Sequence, residues 1–239
     1  MPVYRWKTNL DRRVIECRAC PRLVRWRESV AREKVRRYAD EEYWGKPLPG
    51  FGDPEARLLI VGLAPAAHGG NRTGRMFTGD ESGNWLFRAL YDAGFASRVT
   101  SAHRRDDLEL RDCYITAAAR CAPPANKPTL AELKRCRPFL LEEIAALKRV
   151  RVVVGLGRIG FEAALQAYKA SARIAWDRKP EFGHGRTHAL GDITFIASYH
   201  PSQQNTFTGR LTRPMLDRIF AAAADLARTR VHSPKASLP

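Results

Sequence analysis

No stretch of this 239-residue chain is apolar for long enough to cross a bilayer, which takes about 20 residues. Its opening residues lack the apolar core of a secretory signal, so the expected location is the cytoplasm, beside the nucleoid if the cell is prokaryotic. There is no internal repeat, which excludes solenoids and propellers. Acidic residues are scarce: 25 Asp and Glu stand against 41 Lys and Arg, a net charge of +16. The excess is not confined to one tail, and it favours a polyanionic partner bound on a face of the fold. Cysteine is also sparse, with five residues. A 239-residue chain with 44% apolar content buries enough core to need no disulfide framework.

What those cysteines do have is pattern. Cys17 and Cys20 form Cys17-Arg-Ala-Cys20, and Cys121 and Cys136 follow about a hundred residues later around a proline-rich loop. Four thiolates at such spacing can converge on one tetrahedral zinc or one iron–sulfur cluster, and spacing alone does not choose between them. Such a site would pin the N-terminal segment to the middle of the fold. The alternatives are unrelated buried thiols or, for the first pair, a redox motif; Pro21 and a basic stretch follow it instead of a βαβ start. Cys113 lies in an apolar run and reads as an inert core thiol.

Four short apolar runs bounded by Gly, Pro or charge read as buried strands: 57–63, 113–119, 150–154 and 193–198. Helical patterns lie between and after them at about 82–93, 129–148, 158–170 and 212–228, and a charged, aromatic segment at 11–43 also reads as helical. The alternation predicts a single α/β domain over residues 1–228, a three-layer α/β/α sandwich around a mostly parallel four-stranded sheet. Residues 11–50 form an N-terminal extension and 229–239 a flexible tail. Ligands of such sheets bind beyond the carboxyl ends of the strands.

Two of the segments at those ends are rich in chemistry. The first, from Gly62 to Asp80, is long, glycine-rich and without apolar period, and it carries His68, Asn71, Arg72, Arg75 and Asp80. Ordered loops of that length are usually functional. Asp80 also suits the N-cap of the following helix, and for Ser82 capping is the preferred role. The second, Ser198-Tyr-His-Pro-Ser-Gln-Gln-Asn-Thr-Phe-Thr-Gly-Arg210, places His200 before a proline and a polar loop. Gly155-Leu-Gly157-Arg-Ile-Gly160, with Asp177 about twenty residues on, imitates a dinucleotide fingerprint. It follows the third strand rather than the first, and reads as a tight strand–helix turn.

Together these segments resemble family 5 of the uracil-DNA glycosylase superfamily. The resemblance rests on Gly62-Leu-Ala-Pro-Ala66, Gly74-Arg-Met-Phe-Thr-Gly79, His200-Pro-Ser202 and the four cysteines in order, and spans about 14–228. It implies that Cys17, Cys20, Cys121 and Cys136 hold a [4Fe–4S] cluster tying down the N-terminal extension. It implies cleavage of the N-glycosidic bond of uracil and other deaminated bases in DNA, by an enzyme acting alone as a monomer. Phe77 would stack on the flipped base, Gly62, Ala64, Ala66 and Ala117 would border the pocket, and His200 would stabilise the departing base. His68, Asn71 and Asp80 are candidates to position water, Asp80 foremost. Ser202, Gln203, Asn205 and Arg210 would contact DNA, their loop entering the minor groove. Two departures bear on substrate range. Leu63 and Ala64 stand where most branches of the superfamily carry a water-orienting polar residue, and Thr116-Ala117 stands where many relatives carry a uracil-reading Thr-Asn pair. Both favour a broader pocket, one that accepts hypoxanthine. The competing readings are a non-catalytic iron–sulfur or zinc protein that binds nucleic acid, and a nucleotide-dependent oxidoreductase built on Gly155–Gly160.

Overall fold

The computed structural model describes residues 4–229. Its centre is a six-stranded sheet of order β1-β3-β2-β4-β6-β5. The four inner strands are β2 (Leu58–Gly62), β3 (Cys113–Ala117), β4 (Val152–Leu156) and β6 (Ile193–Ser198), all mutually parallel. Every residue of β2, β3 and β4 is buried. Alternate residues serve opposite faces: Leu58 and Ile60 pack with α4 (Glu81–Asp92) and α8 (Arg213–Arg228), Leu59 and Val61 with α5 (Leu130–Ala146) and α6 (Gly157–Ala170). This is the expected three-layer sandwich.

The expected sheet of four strands gains two antiparallel edges, β1 (Phe51–Gly52) on β3 and β5 (Thr187–Leu190) on β6. Neither had an apolar run to announce it. β1 is two residues long, and β5 alternates exposed with half-buried positions. The expected single helical segment 11–43 is two helices, α1 (Arg5–Ile15) and α2 (Pro21–Glu33), followed by irregular chain with one 3₁₀ turn at Arg36–Tyr38. The break falls on the Cys17–Cys20 stretch, where Cys20 is extended and Pro21 starts the next helix. Two short helices were also hidden in the loops, α3 (Gly70–Thr73) and α7 (Gln203–Phe207). Of the expected tail, 230–239 lies outside the described residues; Thr229 itself caps α8, its hydroxyl donating to the Asp225 carbonyl at 2.8 Å.

From β2 the chain crosses to β3 on one side, and β4 continues to β6 on the other. The carboxyl ends of β2 and β4 therefore diverge into a crevice, the usual ligand position in such sheets. The Gly155–Gly160 run lies beside it, and its glycines serve packing. A Cβ on Gly160 would stand 2.4 Å from the Val61 carbonyl oxygen of β2, and one on Gly155 2.4 Å from the Phe161 Cα. α6 lies on the sheet where a nucleotide would need open backbone.

Candidate active site and cysteine centre

The first loop is built to present one aromatic ring. Phe77 sits at φ 52°, a left-handed conformation that costs a β-carbon residue ~1–3 kcal/mol. Its neighbours hold it there. Arg75, buried, donates to the Ser101 hydroxyl and the Asp106 carboxylate, each at 2.6 Å, and to the Thr78 hydroxyl at 3.1 Å. Asp106 accepts further backbone bonds from Ala102, His103 and Leu108, and these contacts hold its carboxyl below its ordinary value despite the opposing desolvation, the largest influence on it. Beneath the ring lies Gly62, where a Cβ would come within 2.8 Å of the Phe77 Cζ. No other residue fits that floor without moving the ring.

Asp80 is the N-cap of α4 and accepts from the Gly83 amide at 3.0 Å. The cap falls on Asp80 and not on Ser82, which lies inside the first turn. Burial raises the Asp80 carboxyl above the usual range, opposed by the amides of Gly83 and Ser82 and the charge of Arg72. Its second oxygen presses on Gly69, whose Cα has room for no side chain: a Cβ there would be 1.9 Å from Asp80 Oδ2. Asp80, Gly69, His68, Ala66 and Gln203 line one open cleft of about 830 Å³. His68 meets the Tyr43 hydroxyl through Nδ1 at 3.1 Å, and desolvation, then Arg72, push its pKa below the usual histidine value. Arg72 clamps the loop, donating to the carbonyls of His68 and Gly79 at 2.8 Å and pairing with Glu41. Asn71 is fully buried and does not line the cleft. Its amide donates to the Arg27 carbonyl of α2 at 3.2 Å.

His200 lies just beyond β6. Its ring stacks on Phe77, 5.7 Å between centroids and 28° between planes. Burial alone shifts its pKa, down to about 4, so it is neutral at physiological pH. Its ring nitrogens make no hydrogen bond among the described residues. Its carbonyl accepts from the Asn205 side chain at 2.8 Å, so Asn205 braces His200 from within. Arg210 lies over the Tyr199 ring at 4.6 Å. Ser202 is half-buried at the start of α7, Gln203 is exposed, and Phe207 is 78% exposed at the end of that helix.

Ala117 closes β3 opposite Gly62 in register and is 1% exposed. Its side chain joins the face that carries Phe77. Thr116 points the other way and donates at 2.6 Å to Glu143, the partner of the buried Arg120. Ala64 and Ala66 are half-buried on the loop after β2, with the Ala66 carbonyl accepting the Asn71 amide at 3.0 Å.

The four paired cysteines all line one small pocket of about 20 Å³, with Leu23, Val24, Pro47 and Phe139 among its walls. Burial raises three of the thiols, Cys20 above its ordinary value, Cys121 to about 11 and Cys136 to about 12. Donors already face the sulfurs: Arg27 reaches Cys121 Sγ at 2.9 Å, and the Arg120 amide reaches Cys136 Sγ at 3.3 Å. Among the described residues no three Cys, His, Asp or Glu side chains form a group that could hold a single metal ion. Cys113 is buried in the core away from this pocket. Four thiols lining one apolar pocket, two of them met by N–H donors, have the chemistry of a thiolate-bound cluster.

The roles of Arg72, Arg75 and Asn205 as braces could not be read from the sequence. Arg75 reaches Ser101 and Asp106, and Arg72 reaches Glu41, residues brought near by the loop path rather than by spacing.

The family model described as the uracil DNA glycosylase superfamily matches residues 49–224. The chain is 50% identical over 221 residues to the type-5 uracil-DNA glycosylase of Mycobacterium leprae, covering 92% of this chain and 95% of that one. It is 51% identical over 214 residues to the type-5 uracil-DNA glycosylase of Thermus thermophilus, covering 88% and 94%. A type-4 uracil-DNA glycosylase of Pyrobaculum aerophilum is 30% identical over 162 residues, covering 67% of this chain and 74% of the relative.

Proposed function

Because this chain belongs to the uracil-DNA glycosylase superfamily, in its type 5 branch, we infer that it is a DNA glycosylase that hydrolyses the N-glycosidic bond of uracil in DNA repair. The observation that carries the reading is His200, a neutral histidine with unpartnered ring nitrogens at the mouth of the crevice, stacked on Phe77.

The target base is stacked inside the duplex and must be flipped out to be reached. Phe77 and His200 are in direct ring contact, so the base lies against this pair and not between its members. As the glycosidic bond breaks, negative charge gathers on the base carbonyl and positive charge on the sugar. A neutral His200 donates an N–H to that carbonyl. One such donor aimed at developing charge is worth ~3 kcal/mol. Being neutral, it stabilises the anion without needing a proton from solution.

Water then adds to the sugar cation. Asp80 and His68 share the open cleft, and Asp80 is our choice to orient that water, because its charge also stabilises the cation. Asn71, buried and bonded to α2, supports the loop instead. Phe207 and Gln203, exposed on α7, would enter the minor groove and fill the space left by the base. Ser202, Asn205 and Arg210 support this loop. The +16 charge supplies the general attraction to phosphate.

Cys17, Cys20, Cys121 and Cys136 would hold a [4Fe–4S] cluster. The hydrolysis is redox-neutral, so the cluster's contribution is to tie α1 and α2 to the segment after β3. We extend the substrate range to hypoxanthine, on the ground that Ala117 offers no amide to read uracil. The protein would act as a monomer in the cytoplasm, and no helix among the described residues is long and apolar enough to cross a membrane. The test is release of free base from oligonucleotides carrying uracil or hypoxanthine; binding without release of either would leave only a nucleic-acid-binding protein.

A further inference from the structure

The amide of Tyr199, immediately before His200, has lost its strand partner. Upstream the ladder between β6 and the segment leading into β5 is complete: the Ala197 amide donates to the Arg186 carbonyl at 2.9 Å, and the Gly185 amide to the Ala197 carbonyl at 2.8 Å. One step further on, a side chain takes over. The Tyr199 amide donates to His184 Nδ1 at 3.1 Å. The His184 ring also lies flat on the Tyr199 ring, 5.0 Å between centroids and 23° between planes.

We propose that His184 is a positioning residue for His200, its unprotonated Nδ1 extending the sheet by one bond and fixing the Ser198–Tyr199 peptide, one step before the residue that carries the His200 ring. The inference rests on the glycosylase reading of His200. A backbone N–H can only donate, so Nδ1 must be the acceptor and the remaining ring proton sits on Nε2. Burial, then the charge of Arg218 on α8, hold His184 below the ordinary histidine range, while the Met215 carbonyl of α8 works in the opposite direction. Arg210 lies over the Tyr199 ring rather than over His184. Protonating Nδ1 would set two N–H groups head to head and release the Ser198–Tyr199 peptide, and with it the chain leading into His200. Misplacing a catalytic group by a fraction of an ångström to an ångström is costly, and ~10- to 100-fold in rate is the expected scale.

The test uses two substitutions on the full chain. His184→Asn keeps an acceptor near the Nδ1 position and does not titrate. His184→Phe keeps the stacking and removes the acceptor. The expected result is a single-turnover rate lowered ~10-fold or more in His184→Phe with DNA affinity unchanged, and a rate near the parent's in His184→Asn. The parent should lose rate as pH falls below the ordinary histidine range, above the limb due to His200 itself, and His184→Asn should lack that limb. A purely structural role would lower the unfolding temperature and leave the pH profile alone. Persistence of the same limb in His184→Asn, or an unimpaired His184→Phe, would overturn the proposal. Hydrogen exchange at the Tyr199 amide gives a readout independent of activity: slow in the parent and in His184→Asn, fast in His184→Phe. Equal exchange in all three would also overturn it, and a parent that releases no base would point instead to failure of the glycosylase reading.

Discussion

The rings of Phe77 and His200 are stacked on each other at 5.7 Å, although they lie 123 positions apart in the chain. One belongs to the loop after β2, the other to the loop after β6, and β4 lies between those strands. The contact brings the two motifs into one site. It makes His200→Ala the first substitution to examine: the single-turnover rate on uracil-containing DNA should fall ~100-fold or more, with DNA binding retained. A rate within about twofold of the parent would remove His200 from the chemistry.

The same burial has a consequence for stability. His200 titrates at about 4 in the folded protein and at ~6.5 when unfolded. The unfolded chain therefore takes up the proton first. The stability linked to this group is complete above pH ~6.5 and is lost as pH falls toward 4. Unfolding midpoints measured across that window should decline more steeply in the parent than in His200→Phe. Parallel declines would contradict the neutral, desolvated ring.

Asp80 and Gly69 are expected to behave as one unit. Asp80→Asn should lower the single-turnover rate ~100-fold if the carboxylate orients water. Gly69→Ala drives a methyl into Asp80 Oδ2 and should cost a comparable factor. The double substitution should be no slower than the worse single one, because both disturb the same carboxylate. Additive losses would show that Gly69 acts elsewhere.

Protein purified without oxygen should contain about four irons per chain and lose thermal stability when they are removed. Cys113→Ser should leave the iron content unchanged, while Cys121→Ser should reduce it. Stoichiometric zinc without iron would replace the cluster with a single metal ion.

Ala117→Asn should move the ratio of single-turnover rates toward uracil and away from hypoxanthine, since the new amide can pair with uracil and is left unpaired by a purine. A parent that rejects hypoxanthine outright would refute the argument from the missing amide.

The layers of this protein, its family and the paired spacing of four cysteines were all legible from the order of its residues. Buried strands need continuous apolar runs, so β2, β3, β4 and β6 were legible, while β1 and β5, short or half-exposed at the sheet edges, were not. The long loop stood out in the chain because its glycines and polar residues followed no apolar period. How those polar residues divide became visible in the folded chain. It set Asp80 and His68 on the open cleft, turned Asn71 in toward α2 and Asn205 in under His200, and joined His184 to the Tyr199 amide. Residues of one type and one stretch separate in this way because a side chain's role depends on which buried polar group lacks a partner nearby. Those partners are set by strand order and loop path, long-range relationships that neighbouring residues in the chain do not encode.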